Sequence, residues 1–175
     1  MGWRPGTLVS GLARCSPAEL YSSLLTSLCV VFTLPRMTHS KVIIYSDGGA
    51  RGNPGPAAIG VFICDEKGNA LQEHHEVIGE ATNNIAEYTA VLVGLELAKK
   101  LGAREIHYFV DSQLVASQLT GKYRIKTPHI QTLCRQVKER EKSFDRVKFQ
   151  QVPRTNEGIS RADKLVNLAL DLAGH

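Results

Sequence analysis

Residues 45–56 read YSDGGARGNPGP, and the reading of this stretch decides the fold. An apolar run, KVIIYS (41–46), leads into Asp47, and four glycines and two prolines follow before the next apolar run, AAIGVFIC (57–64). Glycine permits positive φ and close backbone approach, while proline is excluded from helix interiors. The stretch is therefore expected to be a tight connection between two strands, with Asp47 ending the first. It is not a Walker-type phosphate loop, because no Gly-Lys-Ser/Thr follows and the prolines block the helix that such a loop opens. Alone, it reads as a hairpin loop with an aspartate at its mouth. What else converges on Asp47 decides its role.

Outward from this loop, residues 56–79 read as two strands joined by a turn at Asp65–Asn69, which carries the Asp-x-x-Gly-Asn chemistry of turns. Residues 81–102 have helical period, lysines in the last turn and a stop at Gly102. A strand is expected over 104–110, a short helix over 111–121, a helix over 128–143, a strand over 146–153 and a final helix over 159–174. The order β-β-β-α-β-α-α-β-α implies an α/β fold with a mixed five-stranded sheet. Strands one, four and five should run parallel, with helices on both faces.

The chain has 175 residues, with 43% hydrophobic and 22% charged, the composition of one folded domain. A net charge of +4 permits a polyanionic partner without demanding one. Cys15, Cys29, Cys64 and Cys134 lack C-x-x-C spacing. Free thiols in a reducing, cytoplasmic compartment are expected rather than zinc or disulfides. All six histidines are scattered and read as surface or structural groups. Residues 1–36 hold Arg4, Arg14 and Arg36 against the single acid Glu19. Their apolar run LLTSLCVVFTL (24–34) is shorter than the roughly 18 residues of a membrane span. No secretory cleavage site follows it, and the arginine and serine bias fits a mitochondrial transit peptide only loosely. The expectation is an unfolded extension, or a stretch upstream of a true start at Met37, followed by one domain over 37–175. Without these residues the totals are 18 basic against 16 acidic, a net charge of +2. No membrane association is expected, and a monomer is.

Four acids stand out. Asp47 and Asp111 fall where the first and fourth strands end, and ligands of parallel sheets bind beyond strand carboxyl ends. Asp111 could instead cap the helix after it. Glu87 shares a helix face with Val91, Gly94 and Ala98, so it faces inward, where an unpaired carboxylate is costly. Asp163 shares a face with Val166, Leu170 and Ala173, although Ser160-x-x-Asp163 also matches a capping box.

The motifs SDGGARGNPGP, TNNIAEY, VDSQ and RADKL, in this order and on these elements, resemble ribonuclease H of type 1. The resemblance runs from about Lys41 to the end of the last helix. It implies that Asp47, Glu87, Asp111 and Asp163 hold two Mg²⁺ ions, with Mn²⁺ as a substitute, an ion class that hard carboxylate oxygens suit. It also implies endonucleolytic cleavage of the RNA strand of RNA/DNA hybrids, leaving 5′-phosphate and 3′-hydroxyl ends. Gly48, Gly49, Asn53, Asn83, Asn84 and Gln113 match substrate-contacting positions, where amides and backbone groups read the 2′-hydroxyl.

Two features depart from the family. Many members carry a histidine shortly before the last acid, but VPRTNEGISRAD has none and Arg154 stands in the comparable place, as in a subset of the family. An arginine can hold phosphate or assist product departure but cannot shuttle protons as histidine does. The basic protrusion of several members is reduced to Lys122, Arg124 and Lys126, and the one tryptophan is Trp3. Weaker binding with a shallow salt dependence is expected. Double-stranded RNA is a further expected substrate. The competing readings are a non-catalytic nucleic-acid-binding module of the same fold and a regulatory subunit.

Overall fold

The computed structural model describes residues 40–175, so the expectations for residues 1–36 lie outside the described residues. Strand β1 (Lys41–Ala50) and β2 (Gly55–Cys64) form a hairpin, and β3 (Ala70–Ala81) continues the meander. The turn between β2 and β3 is built as its sequence suggests. Asp65 Oδ1 accepts from the backbone N–H of Lys67 and Asn69, at 2.9 Å each, and Gly68 supplies φ +84°.

Helix α1 (Asn83–Lys100) follows, capped by Thr82, whose hydroxyl accepts from Ile85 N–H at 3.4 Å. Then come β4 (Glu105–Val110), α2 (Gln113–Leu119), α3 (Pro128–Glu141), β5 (Arg146–Gln151) and α4 (Glu157–Leu172). The sheet order is β3-β2-β1-β4-β5. β1, β4 and β5 run parallel and β1, β2 and β3 antiparallel, as expected from the element order.

Helix α1 is buried on nearly every side, between the sheet and α3, and its Tyr88, Val91, Leu95 and Ala98 join Val42, Ile44, Ile106 and Tyr108 in the main core. Helix α4 lies on β1, β2 and β3, where Val166, Ala169 and Leu170 enclose a smaller cluster with Ala58. Strand β3 is an edge strand, and Glu73, Glu76 and Glu80 along it favour solvent over a further strand.

Four local expectations are corrected. Strand β1 does not end at Asp47; it continues to Ala50, with Gly48, Gly49 and Ala50 paired to Ile59, Ala58 and Ala57. The connection shrinks to Arg51–Pro54, and only Gly52 in it needs positive φ, +110°. The other glycines serve close approach. A Cβ on Gly48 would lie 2.2 Å from the carbonyl carbon of Ala86 in α1, and one on Gly60 would lie 2.1 Å from Ala162 O in α4. Second, Ser112 rather than Asp111 caps α2, its hydroxyl accepting from Val115 N–H at 3.4 Å. Third, α4 opens at Glu157 under an Asn156 cap, so Ser160 is internal and the capping-box reading of Ser160 and Asp163 does not hold. Ala173, expected on the inward face, is exposed just beyond this helix. Among the described residues, no helix is long and apolar enough to cross a membrane.

Candidate active site

Four elements deliver the four acids to one cleft of about 260 Å³. Asp47 comes from within β1, Glu87 from the second turn of α1, Asp111 from the residue after β4 and Asp163 from α4. The contact that sets the first two is a backbone one. Gly48, next to Asp47, abuts Ala86 and the N–H of Glu87, so the two carboxylates are carried by chain segments in direct touch.

Asp47 is 7% exposed, and its Oδ1 accepts from Gly48 N–H at 2.9 Å. Burial pushes its carboxyl up to about 6 from an ordinary 3.8; Asp111 and Asp163 add to the rise and Arg154 opposes it. Glu87 is pushed up to about 7 from 4.5, first by burial and then by Asp111 and Asp47, against a hydrogen bond with Ser112. Glu87 Oε2 is buried with no hydrogen-bond partner. An orphaned carboxylate oxygen inside a cluster of like charge is costly unless a cation joins it.

Arg154, just after β5, supplies part of that charge. Its Nη2 lies 2.5 Å from Asp163 Oδ1 and 3.9 Å from Asp47 Oδ2. Asp163 is also held from its own helix, where Asn167 Nδ2 donates to its carbonyl at 2.9 Å and to Oδ2 at 3.3 Å. Among the described residues, no three acidic, histidine or cysteine side chains stand close enough to enclose one ion as placed. The donor set nevertheless fits hard divalent cations: it consists of carboxylate oxygens alone, one of them buried without a partner and two of the acids pushed toward neutrality.

The residues expected to touch substrate divide into three groups. Gly48, Gly49 and Asn83 line the acid cleft itself. Asn53 and Asn84 line an adjoining cleft of about 480 Å³, which shares Asn83 and Glu87 with the first and also takes in Thr127 and His129. Two of the amides are engaged with backbone: Asn83 Oδ1 accepts from Ala50 N–H at 2.8 Å, and Asn53 Oδ1 from Asn83 N–H at 3.3 Å. Gln113 stands apart, in a groove with Lys122 and Gln151 that shares no residue with either cleft.

Two polar residues that line the acid cleft, Arg51 and Asn167, are not among those the sequence singles out. Asn167 carried a signal, its i+4 spacing from Asp163 on one helix. Arg51 lies within residues 45–56, among glycines that signal a turn rather than a site.

A mixed sheet with an acid cleft where its parallel and antiparallel halves meet defines a class, and the comparisons with known proteins agree with it. Residues 45–169 match a family model described as "Reverse transcriptase-like". The solved structure of RNase H1 from the archaeon Halobacterium salinarum is 41% identical, with a TM-score of 0.73, covering 75% of this chain and 98% of that one. LC11-RNase H1, solved in complex with an RNA/DNA hybrid, is 42% identical with a TM-score of 0.72, covering 77% and 99% of the two chains. A bifunctional protein of Mycobacterium tuberculosis is 41% identical over 134 residues, and there the match spans only 36% of the relative's length. The chain belongs to the ribonuclease H type 1 family, within the reverse-transcriptase-like domains.

Proposed function

We propose that the chain is an endoribonuclease that hydrolyses the RNA strand of RNA/DNA hybrids, leaving 5′-phosphate and 3′-hydroxyl ends. The observation that carries this reading is the convergence of Asp47, Glu87, Asp111 and Asp163 from four elements around a buried, unpartnered carboxylate oxygen of Glu87. A structural cluster of this kind would waste folding free energy, whereas a catalytic one stores the field that a phosphodiester reaction needs.

The four carboxylates would hold Mg²⁺, or Mn²⁺ in its place; when bound, such ions lower the pKa of an attacking water and offset charge on the phosphoryl group. The chain's own residues do the rest. Asp47 and Glu87 are poised near neutrality and lose their protons readily when positive charge arrives. Arg154 offers a permanent positive charge at the outer side of Asp163, placed to hold a phosphate oxygen or to ease product departure. Gly48 and Gly49 line the cleft with main chain beside the acids, and the Asn53–Asn83–Asn84 group offers amides next to it for a 2′-hydroxyl. Gln113 serves a more distant part of the duplex.

The test is cleavage of end-labelled RNA/DNA, RNA/RNA and DNA/DNA duplexes in Mg²⁺ by the full chain and by Asp47→Asn. Internal cuts in the RNA of the hybrid are expected from the parent, with a loss of at least ~10³-fold in the variant. Binding of the hybrid without cleavage in either Mg²⁺ or Mn²⁺ would replace the enzyme with a binding module. Cleavage in the RNA/RNA lane would extend its substrates to double-stranded RNA.

A further inference from the structure

We propose that Arg51 is a phosphate-binding residue of this site, contacting a backbone phosphate of the bound strand beside the four acids, and that Asp171 holds it in position. The inference rests on the ribonuclease reading above and adds a specific contact to it.

An acid-lined cleft repels the polyanion it must admit, so the strand needs cationic contacts next to the acids. Two guanidinium groups line this cleft. Arg154 is paired with Asp163 and faces Asp47, so the phosphate it can hold is the one at the acids themselves, and a flanking phosphate needs a cation of its own. Arg51 touches none of the four. Its backbone is fixed by an N–H bond to Pro56 O at 2.8 Å, and its Nη2 lies 2.5 Å from Asp171 Oδ1. One of its five N–H donors is thereby used, and the fork keeps others for a second anion.

Asp171 itself calls for an explanation. It stands in the last turn of α4, which contains no basic residue, and there the helix dipole disfavours negative charge. A pair as exposed as this one, 40% for Arg51 and 64% for Asp171, contributes little to folding. Stapling the β1–β2 connection to α4 is thus a weak reason for a carboxylate at this position. Fixing the rotamer of a long cation at the mouth of the site is a stronger one, since a preorganised side chain loses less entropy when a phosphate arrives.

The two roles predict different behaviour from the two partners. KM and kcat on an RNA/DNA hybrid, hybrid binding by fluorescence anisotropy and Tm would be measured across a salt series for the full chain, Arg51→Gln, Arg51→Lys and Asp171→Asn. If Arg51 binds phosphate, Arg51→Gln raises KM and Kd about 3- to 10-fold at moderate salt with little change in kcat. The slope of log Kd against log salt becomes shallower by about 0.7–0.9, the share of one phosphate contact. Arg51→Lys retains the parent slope. Asp171→Asn also retains it, because no cation is lost, and raises KM less than Arg51→Gln does.

An unchanged salt slope in Arg51→Gln overturns the proposal. So does a matched pair of effects, in which Arg51→Gln and Asp171→Asn lower Tm and shift KM equally, as a staple would require. A parent that cuts the hybrid while Arg51→Gln keeps its slope defeats this inference alone. A parent that neither binds nor cuts the hybrid defeats both it and the proposed function.

Discussion

At the scale of single residues, charge on the acids is held against its own repulsion. Arg154 is the one side chain among the described residues that forms an ion pair with any of the four acids, and it does so from a 69% exposed position. Arg154→Ala should therefore act in two directions. Removing the guanidinium frees Asp163 Oδ1, so half-saturation by Mg²⁺ should fall severalfold; losing the phosphate contact should lower kcat by roughly 10-fold or more. Turnover equal to the parent's across a Mg²⁺ titration would show that Arg154 has no part in the reaction. Much of this was legible in the sequence, because acids and amides sit in four short motifs. The pairing of Arg154 with two of the acids was not, since nothing in VPRTNEG says where a long, exposed side chain will turn.

At the scale of elements, the glycines of β1 and β2 matter more for the helices than for the turn. The sequence alone places Gly48 and Gly49 in a connection, because glycine so often supplies positive φ. In the fold they are strand residues whose missing side chains let α1 and α4 close on the two faces of the sheet. The order of elements along the chain and the parallel run of strands one, four and five were readable, because β-branched runs and helix stops are local signals. Close approach between elements is not local, so the extension of β1 past Asp47 was hidden. Gly48→Ala should destabilise by about 3 kcal/mol or more, since its Cβ would press on backbone that cannot rotate away. Activity measured well below its Tm should also fall, because α1 must shift Glu87 to make room. A fully active, merely less stable Gly48→Ala protein would refute the link between this contact and the site.

At the scale of the whole molecule, the site opposes the stability of the fold that carries it. Asp47 and Glu87 have folded-state values near 6 and 7, above the ordinary 3.8 and 4.5. Between about pH 4 and 7 the folded state therefore binds more protons than the unfolded chain, and stability falls as pH rises. In EDTA, urea unfolding should show a decline through this window that levels off above about pH 7. Asp47→Asn should flatten the decline and stabilise the metal-free protein on the order of 2 kcal/mol at pH 7.5. Mg²⁺ should raise the Tm of the parent in proportion to its occupancy and have far less effect on the variant. A Tm for the parent that is insensitive to both pH and Mg²⁺ would show that the carboxylates are not under mutual strain.

The contact between Gly48 and Ala86 also works as a gauge block. Elsewhere, the spacing of two helices or of a helix and a sheet is fixed by side chains, and substitution over generations resizes it. Here main chain rests on main chain, one residue away from Asp47 on one side and from Glu87 on the other. Successive substitutions can exchange Leu95, Ile44 or Val91 for other apolar residues and let the far end of α1 drift, while the near end stays against its stop. The core can vary in its lineage without re-spacing the two acids.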